Sequence, residues 1–167
     1  MSNFWHKPFR KLASLSIMAP LLAKTLHRLD QPVYQWSNGR FSATSLVTGL
    51  PLIMVTTTGA KSGKARTVPL LGIPYGDNLD GDALGVIASN WGGQRHPAWY
   101  HNMRAHPDVT VALDGETTPY TARELSGAEK TAVWQKATAI YPGYNAYKQR
   151  TDREIPVLLL EPKANRQ

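Results

Sequence analysis

The spacing of apolar side chains predicts that the chain opens with an amphipathic helix. Between residues 12 and 29, leucine and alanine recur at steps of three or four and so line one face. Basic side chains occupy the rest of the surface, and Pro20 is expected to bend or interrupt the helix. We therefore predict a basic amphipathic helix over residues 1–30, followed by a polar loop over 31–50. The apolar face would contact either protein or an anionic membrane.

From residue 51 onward the pattern changes to short β-branched runs separated by turns. Strands are predicted over residues 52–58, 66–75, 83–89, 109–113, 117–124 and 155–160. Helices are predicted over residues 97–106, 126–140 and 144–150. Pro69 and Pro74 indicate an edge or a bulge, and Ser126 with Glu129 forms a candidate capping box. Because hairpins join most strands, we predict an α+β fold, a split β-barrel over residues 51–167 with helices around it, in a single domain.

Composition narrows the chemistry that this domain can carry. The chain of 167 residues contains 42% hydrophobic and 19% charged residues, which is typical of a globular protein. It has no cysteine, which excludes disulfides, thiolate catalysis and cysteine-ligated metals. The histidines at 96, 101 and 106 are too far apart around a helix to gather on one metal ion, so no metal site is predicted. No apolar run reaches the roughly 18–20 residues that span a bilayer, and we expect a cytoplasmic protein with the first helix as its candidate contact with the inner membrane face.

A formal net charge of +7 favours an anionic partner, although excess lysine and arginine can also serve solubility alone. The first concentration of charge is a turn in which two glycines allow backbone N–H groups to converge on an anion. Its spacing is not that of a P-loop, and a merely solvated basic turn is the alternative. The candidate ligands of a phosphate or carboxylate are Thr58, Gly59, Lys61, Ser62, Gly63, Lys64 and Arg66.

The second concentration lies where a predicted strand ends, a glycine-rich loop follows and a helix begins at Pro97. Helix N-termini attract anions through their unpaired N–H groups, and the alternative is a plain connection. The candidate residues here are Ala88, Ser89, Asn90, Gly92, Gly93 and Arg95, with His96 beside them.

A third candidate is aromatic. Tyr141, Tyr144 and Tyr147 recur at three-residue steps, which would line one side of a pocket for a planar ligand or simply pack in the core. No nucleic-acid-binding motif accompanies the basic residues, so no nucleic-acid partner is predicted.

Taken together, these segments resemble the deazaflavin-dependent nitroreductase family from about residue 56 to residue 162. Several ordered motifs with compatible spacing carry the resemblance, which is far more specific than any one of them. They are Thr57-Thr58-Gly59-x-Lys61-Ser62-Gly63-x-x-Arg66-x-x-Pro69-Leu70, Ala88-Ser89 with Gly92-Gly93, Pro97-x-Trp99-Tyr100-x-Asn102, Ala105-x-Pro107, Tyr141-Pro142-x-Tyr144-x-x-Tyr147 and Thr151-Asp152-Arg153-x-Ile155-Pro156-Val157.

The resemblance implies a flavin-binding type of split β-barrel and the cofactor coenzyme F420, a deazaflavin with a phosphate and an acidic oligoglutamate tail. It implies that Lys61, Lys64 and Arg66 hold the tail. The phosphate region would contact Ser89, Gly92, Gly93 and Arg95, and the backbone of Val68, Pro69 and Leu70 would lie along the ring, with Trp99 also in the cofactor-binding set. The three tyrosines would lie over the substrate.

The implied activity is hydride transfer from the reduced deazaflavin to an electron-poor small molecule, such as a quinone, an enone or a nitroaromatic. A tyrosine or Ser89 would stabilise or protonate the product. Leu71 departs from some nitroreducing members, which carry an aromatic residue there, so nitro reduction is less firmly implied than cofactor binding. The alternatives are a split-barrel reductase that uses FMN and a non-enzymatic carrier of the deazaflavin or of a lipid. Monomer and homodimer both remain open.

Overall fold

Seven antiparallel strands form one curled sheet in the part of the chain that the computed structural model describes, which comprises residues 52–75, 83–113 and 115–163. The strands are β1 Leu52–Thr58, β2 Ala65–Leu71, β3 Ile73–Pro74, β4 Leu84–Ile87, β5 Asp108–Leu113, β6 Glu116–Glu124 and β7 Val157–Pro162. Their order across the sheet is β2-β1-β5-β6-β7-β4-β3. The predicted helix at 1–30 and loop at 31–50 lie outside the described residues.

The two edges of this sheet are consecutive in sequence. β2 and β3 lie at opposite edges, yet only Gly72 separates them. A Cβ atom on Gly72 would lie 2.9 Å from Ile53 Cγ2, so a side chain there would force Ile53 aside. The sheet therefore curls until its edges approach, which confirms the predicted α+β split barrel. One prediction was wrong: the strand expected over residues 66–75 is broken in two at Gly72.

Proline marks both edges of the sheet, so of the two possibilities that the sequence left, an edge or a bulge, the edge is correct. Pro69 belongs to β2 and Pro74 to β3, the two outermost strands. A proline lacks the N–H group that a central strand must donate, so it is tolerated where one side of the strand has no partner.

Alternate residues of β7 face two separate apolar cores. Leu158 and Leu160 point into the barrel core, which also contains Ile53 and Val55 of β1. Val157 and Leu159 point to the opposite side of the sheet, into a second cluster that we call the helix-covered core. β7 pairs with β6 on one side and with β4 on the other. Because its alternate side chains point to opposite faces of the sheet, it contributes to both cores.

Three helices complete the described structure: α1 Ala98–Ala105, α2 Gly127–Ile140 and α3 Gly143–Gln149. α1 contributes Tyr100 and Met103 to the barrel core. α2 and α3 cover the outer face of the sheet, and Val133 packs so closely that a Cβ on Gly85 would lie 2.5 Å from its Cγ1. None of the helices described is long and apolar enough to cross a membrane.

The capping box predicted for α2 does not form. Ser126 occupies the N-cap position, but its side chain makes no capping hydrogen bond. Glu129 instead accepts hydrogen bonds from Arg123 Nη1 at 3.0 Å and Nη2 at 2.7 Å, and from Tyr75 Oη at 2.9 Å. The bidentate arginine contact outcompetes a single bond to the Ser126 N–H, because charge-assisted forked pairs are stronger.

Candidate functional site

The turn between β1 and β2 is fixed from outside by one side chain of α1. Asn102 Oδ1 accepts a hydrogen bond from the Ala60 N–H at 3.0 Å, and Asn102 Nδ2 donates to Thr57 Oγ1 at 3.0 Å. Asn102 is only 9% exposed, so both of its polar groups depend on these partners. α1 thereby holds the turn in one position.

The glycines of this turn serve its own backbone. The Gly59 N–H donates to Lys64 O at 2.9 Å and the Gly63 N–H donates to Gly59 O at 2.8 Å. Ser62 Oγ accepts from the Lys64 N–H at 3.3 Å. Most converging N–H groups are thus occupied, and an anion here would be bound mainly by side chains.

The cations of the turn are open to such a ligand. The side chains of Lys61, Lys64 and Arg66 are exposed, and no ion pair within the described residues engages any of them. Thr58, at the end of β1, is half-buried. The exposed basic group consists of Lys61, Lys64 and Arg66.

The loop between β4 and α1, residues 88–97, adopts an unusual backbone. Asn90, Trp91 and Gly92 have φ values of 47°, 57° and 78°, three left-handed residues in succession. Such conformations are strained for residues other than glycine, at about 1 kcal/mol or more each. The Gly92 N–H donates to Ser89 O at 3.0 Å and the Gly93 N–H to Asn90 O at 2.8 Å. These two N–H groups are therefore not directed at an anion.

Arg153 holds this loop together. Its Nη2 donates to Ala88 O at 3.0 Å and to Ser89 O at 2.9 Å, and its Nε donates to Gly93 O at 2.9 Å. The three carbonyls belong to a loop about 60 residues earlier in the chain. One guanidinium group thus satisfies the acceptors on both sides of the left-handed segment.

His96 also contacts Arg153. Arg153 Nη1 lies 2.9 Å from His96 Nδ1, and since arginine can only donate, Nδ1 accepts and carries no proton. Burial, followed by the charge of Arg153 and the nearby His101, lowers the pKa of His96. The geometry therefore requires a neutral imidazole at the start of α1.

The loop also packs against α3. Gly92 sits so close to Tyr147 that an added Cβ would lie 3.0 Å from Tyr147 O. Asn90 Nδ2 donates to Arg95 O at 2.9 Å, which closes the loop internally. Arg95 is exposed and Ser89 is half-buried.

The three predicted tyrosines do come together, but in the interior. Tyr141, Tyr144 and Tyr147 are 7%, 6% and 3% exposed and belong to the helix-covered core. The hydroxyl groups of Tyr141 and Tyr147 are hydrogen-bonded at 2.9 Å. Burial raises the pKa of all three phenols, most strongly in Tyr144 and Tyr147, so they stay protonated at neutral pH. Core packing, the alternative that the sequence left open, accounts for most of their surface.

The remaining predicted residues lie on β2 and α1. Val68, Pro69 and Leu70 are half-buried on the edge strand, and Leu70 packs against the barrel core. Trp99 also packs against that core. No group of three histidine and carboxylate side chains among the described residues could hold a metal ion.

Sequence reasoning assigned no role to the two residues that shape the site, Asn102 and Arg153. Both stood in the motifs that carried the family resemblance, and that membership is the signal that could have identified them.

Comparison with known proteins places both loops within a known family. The family model for F420H(2)-dependent quinone reductases matches residues 26–162. An F420H(2)-dependent quinone reductase of Mycobacterium tuberculosis is 34% identical over 138 residues, which cover 81% of this chain and 89% of that protein. A solved F420-H2 dependent reductase is 43% identical with a TM-score of 0.59, covering 66% of this chain and 94% of that one. A further structure, described as a domain-swapped dimer, has the same identity and TM-score and covers 66% of this chain and 80% of its own.

Proposed function

Because this chain belongs to the family of F420H(2)-dependent quinone reductases, we propose that it is an oxidoreductase that uses coenzyme F420 and reduces a quinone-class electron acceptor. The observation that carries the proposal is the match over residues 26–162, which includes both candidate loops and the tyrosines. When bound in its reduced form, the deazaflavin supplies the hydride. The protein supplies binding, orientation and protons.

The exposed basic group fits the acidic tail of this cofactor. Lys61, Lys64 and Arg66 form one short cationic surface that no described carboxylate neutralises. A flexible oligoglutamate chain needs charge more than a fixed pocket, and exposed cations on a fixed turn provide that. We assign the tail to these three residues.

The phosphate contacts are proposed at the start of α1. Gly92 and Gly93 use their N–H groups within the loop, which leaves the side chain of Arg95 and the N–H groups of the first turn of α1. The positive end of the helix dipole favours an anion at that point. Gly92 and Gly93 then support the loop conformation.

The edge strand offers main-chain groups to the ring of the cofactor. Since the Gly59 N–H bonds to Lys64 O and hydrogen-bonded pairs alternate along an antiparallel ladder, Val68 and Leu70 direct their main-chain groups toward β1. Pro69 and Leu71 direct theirs outward. We therefore propose that Pro69 C=O and Leu71 N–H contact the ring.

Ser89 is the proposed proton donor or stabilising group for the reduced product. Its main-chain N–H donates to Ile87 O, and its carbonyl accepts from the Gly92 N–H and Arg153 Nη2. The side-chain hydroxyl is therefore the group that Ser89 would offer to a substrate. The bonded hydroxyls of Tyr141 and Tyr147 lie behind the same loop and can pass a proton without becoming charged. Substituting Tyr141 with Phe removes one of these two hydroxyls, and it is expected to lower turnover and to leave cofactor affinity nearly unchanged.

Titration with oxidised F420 and with FMN, followed by ligand fluorescence, tests the cofactor. We expect tight F420 binding, weak FMN binding, and quinone-dependent consumption of F420H2 by the purified protein. A preference for FMN would establish the split-barrel alternative. Tight F420 binding without turnover on quinones, enones or nitroaromatics would establish the carrier alternative.

We propose that the protein is cytoplasmic and that its basic segment, residues 1–30, contacts the inner face of the cell membrane. Its sequence pattern supports this, and the segment lies outside the described residues. Sedimentation with anionic vesicles at low and high salt tests it, and a protein that stays in the supernatant at low salt would refute it.

The structural relative described as a domain-swapped dimer supports a homodimer, which light scattering can measure.

A further inference from the structure

The loop between β4 and α1 exposes an indole ring to solvent. Trp91 is 44% exposed, and Leu113 is the other large hydrophobic side chain exposed to this degree among the described residues. Trp91 belongs to neither apolar core. Its backbone has a φ value of 57°, a conformation that a bulky residue rarely adopts. Among the described residues, membership of an apolar core gives no reason for tryptophan at this position.

The ring is nevertheless held in place on one side. It meets the ring of Tyr147 edge-on, with centroids 5.7 Å apart and planes at 64°. The guanidinium carbon of Arg150 lies 5.6 Å from the centroid of the same tyrosine. Trp91 therefore packs against a side chain that is itself fixed within the helix-covered core.

The backbone on both sides of Trp91 is fixed as well. Arg153 binds the carbonyls of Ser89 and Gly93, and Gly92 packs against the backbone of Tyr147. An aromatic face with such support loses little conformational freedom when a ligand binds to it. The arrangement is typical of a preformed contact surface.

The buried tyrosines cannot provide the aromatic contact surface for a planar ligand. Tyr141, Tyr144 and Tyr147 are at most 7% exposed, so a planar ligand cannot stack on their faces. Trp91 lies two residues after Ser89 and in contact with Tyr147. It is thus an accessible aromatic face beside the groups proposed to donate protons.

We propose that Trp91 is a binding residue for the electron acceptor, whose planar, electron-poor and apolar ring packs against the indole. The assignment rests on the proposed function, because it places a quinone-class acceptor beside the proposed cofactor loop. An indole is electron-rich and offers a large flat surface, so it favours contact with a quinone ring over contact with a polar solute.

The test compares Trp91→Ala and Trp91→Phe with the parent protein, using 2-methyl-1,4-naphthoquinone as the acceptor. We expect Trp91→Ala to raise the KM for the quinone about tenfold, with kcat within about twofold, because a ground-state contact is lost. Trp91→Phe is expected to retain most of the affinity. The Kd for F420 and the melting temperature are expected to stay unchanged in both. Leu113→Ala removes the other exposed hydrophobic side chain and is expected to change none of these quantities.

Calorimetric titration of the cofactor-free proteins with the same quinone separates this inference from the proposed function. Binding to the parent and to Trp91→Phe, with loss in Trp91→Ala, supports the assignment even where turnover is absent. An unchanged quinone affinity in Trp91→Ala overturns it. A parallel loss of thermal stability and F420 affinity also overturns it, since Trp91 would then only support the loop. Failure of F420 to bind the parent protein would instead refute the proposed function.

Discussion

The β1–β2 turn and the β4–α1 loop are built from similar residues, glycines with nearby basic side chains, yet they use them in opposite ways. In the turn, Lys61, Lys64 and Arg66 face solvent, and a neutral side chain, Asn102, provides the support. In the loop, the supporting group is itself a cation, Arg153, whose donors are directed at backbone carbonyls. The same composition thus yields an open charged surface in one place and a fixed scaffold in the other.

The difference shows that glycine and charge do not by themselves identify an anion site. An anion site requires N–H groups and cations that are not already used in hydrogen bonds to the protein's own backbone. The turn retains its cations and the loop retains few donors, so charge recognition and positioning are separable functions. The following substitutions are expected to separate them experimentally.

The largest effect is expected from Arg153→Met. It removes the Arg153 donors to Ala88 O, Ser89 O and Gly93 O, and Ser89 O keeps the Gly92 N–H. The stability loss is expected at about 2–4 kcal/mol, with F420 affinity reduced more than tenfold. Chemical denaturation and cofactor titration measure these two quantities. Arg123→Met is the control, because Arg123 forms ion pairs at the surface, and a smaller stability loss is expected there. Equal losses in the two variants would refute the scaffold role of Arg153.

The next effect is expected from Asn102→Ala, which removes both supports of the turn. The loss of two buried hydrogen bonds is expected to cost about 1–3 kcal/mol and to weaken F420 binding, since the cations lose their fixed position. Asn145→Ala changes an exposed asparagine of α3 and serves as the control in thermal melts. Full stability in Asn102→Ala would mean that the turn holds its shape without α1.

A double substitution, Lys61→Gln with Lys64→Gln, is expected to weaken F420 binding about tenfold without lowering the melting temperature. Exposed cations contribute roughly 0.5–1 kcal/mol each to binding a polyanion and little to folding. The salt dependence of Kd is expected to become shallower. Lys136→Gln with Lys148→Gln removes the same charge from α2 and α3. If this control weakened binding equally, general electrostatics would explain the effect and the turn would have no special role.

The smallest effect is expected from pH. The pKa of His96 is lowered in the folded protein, so the unfolded chain takes up a proton first as the pH falls below 6.5, and stability declines slightly. Protonation also removes the acceptor of Arg153 Nη1. Glu129, with a pKa of about 2, loses its charge only in stronger acid.

Melting temperatures from pH 7.5 to 5 test this effect. His96→Gln is expected to reduce the slope, and His106→Gln, at the exposed end of α1, is expected to retain it. A slope shared by all three proteins would exclude His96 as its source.

The sequence predicted the elements better than the contacts between distant segments. Short β-branched runs between turns were enough to predict the strands, and Pro69 and Pro74 indicated an edge or a bulge, because propensity and proline chemistry act locally. The break at Gly72 escaped prediction, since it depends on how close Ile53 lies.

The candidate site shows the same limit. The sequence offered both loops and all three tyrosines as candidates, yet it directed the Gly92 and Gly93 N–H groups toward a ligand. Their engagement within the loop depends on a backbone conformation that Arg153 fixes from about 60 residues away. Spacing along the chain carries no signal for such a contact.

The position of β7 has a consequence for how the protein is made. This strand comes last among the described elements, yet it lies in the interior of the sheet, between β6 and β4. Ribosomes deliver residues in order, so the hairpin of β5 and β6 and the apolar sides of α2 and α3 all emerge before the strand that joins them. A nascent chain halted before Val157 has neither core complete. The stage of synthesis before β7 is available is therefore the one at which the described part of the chain most needs protection from aggregation.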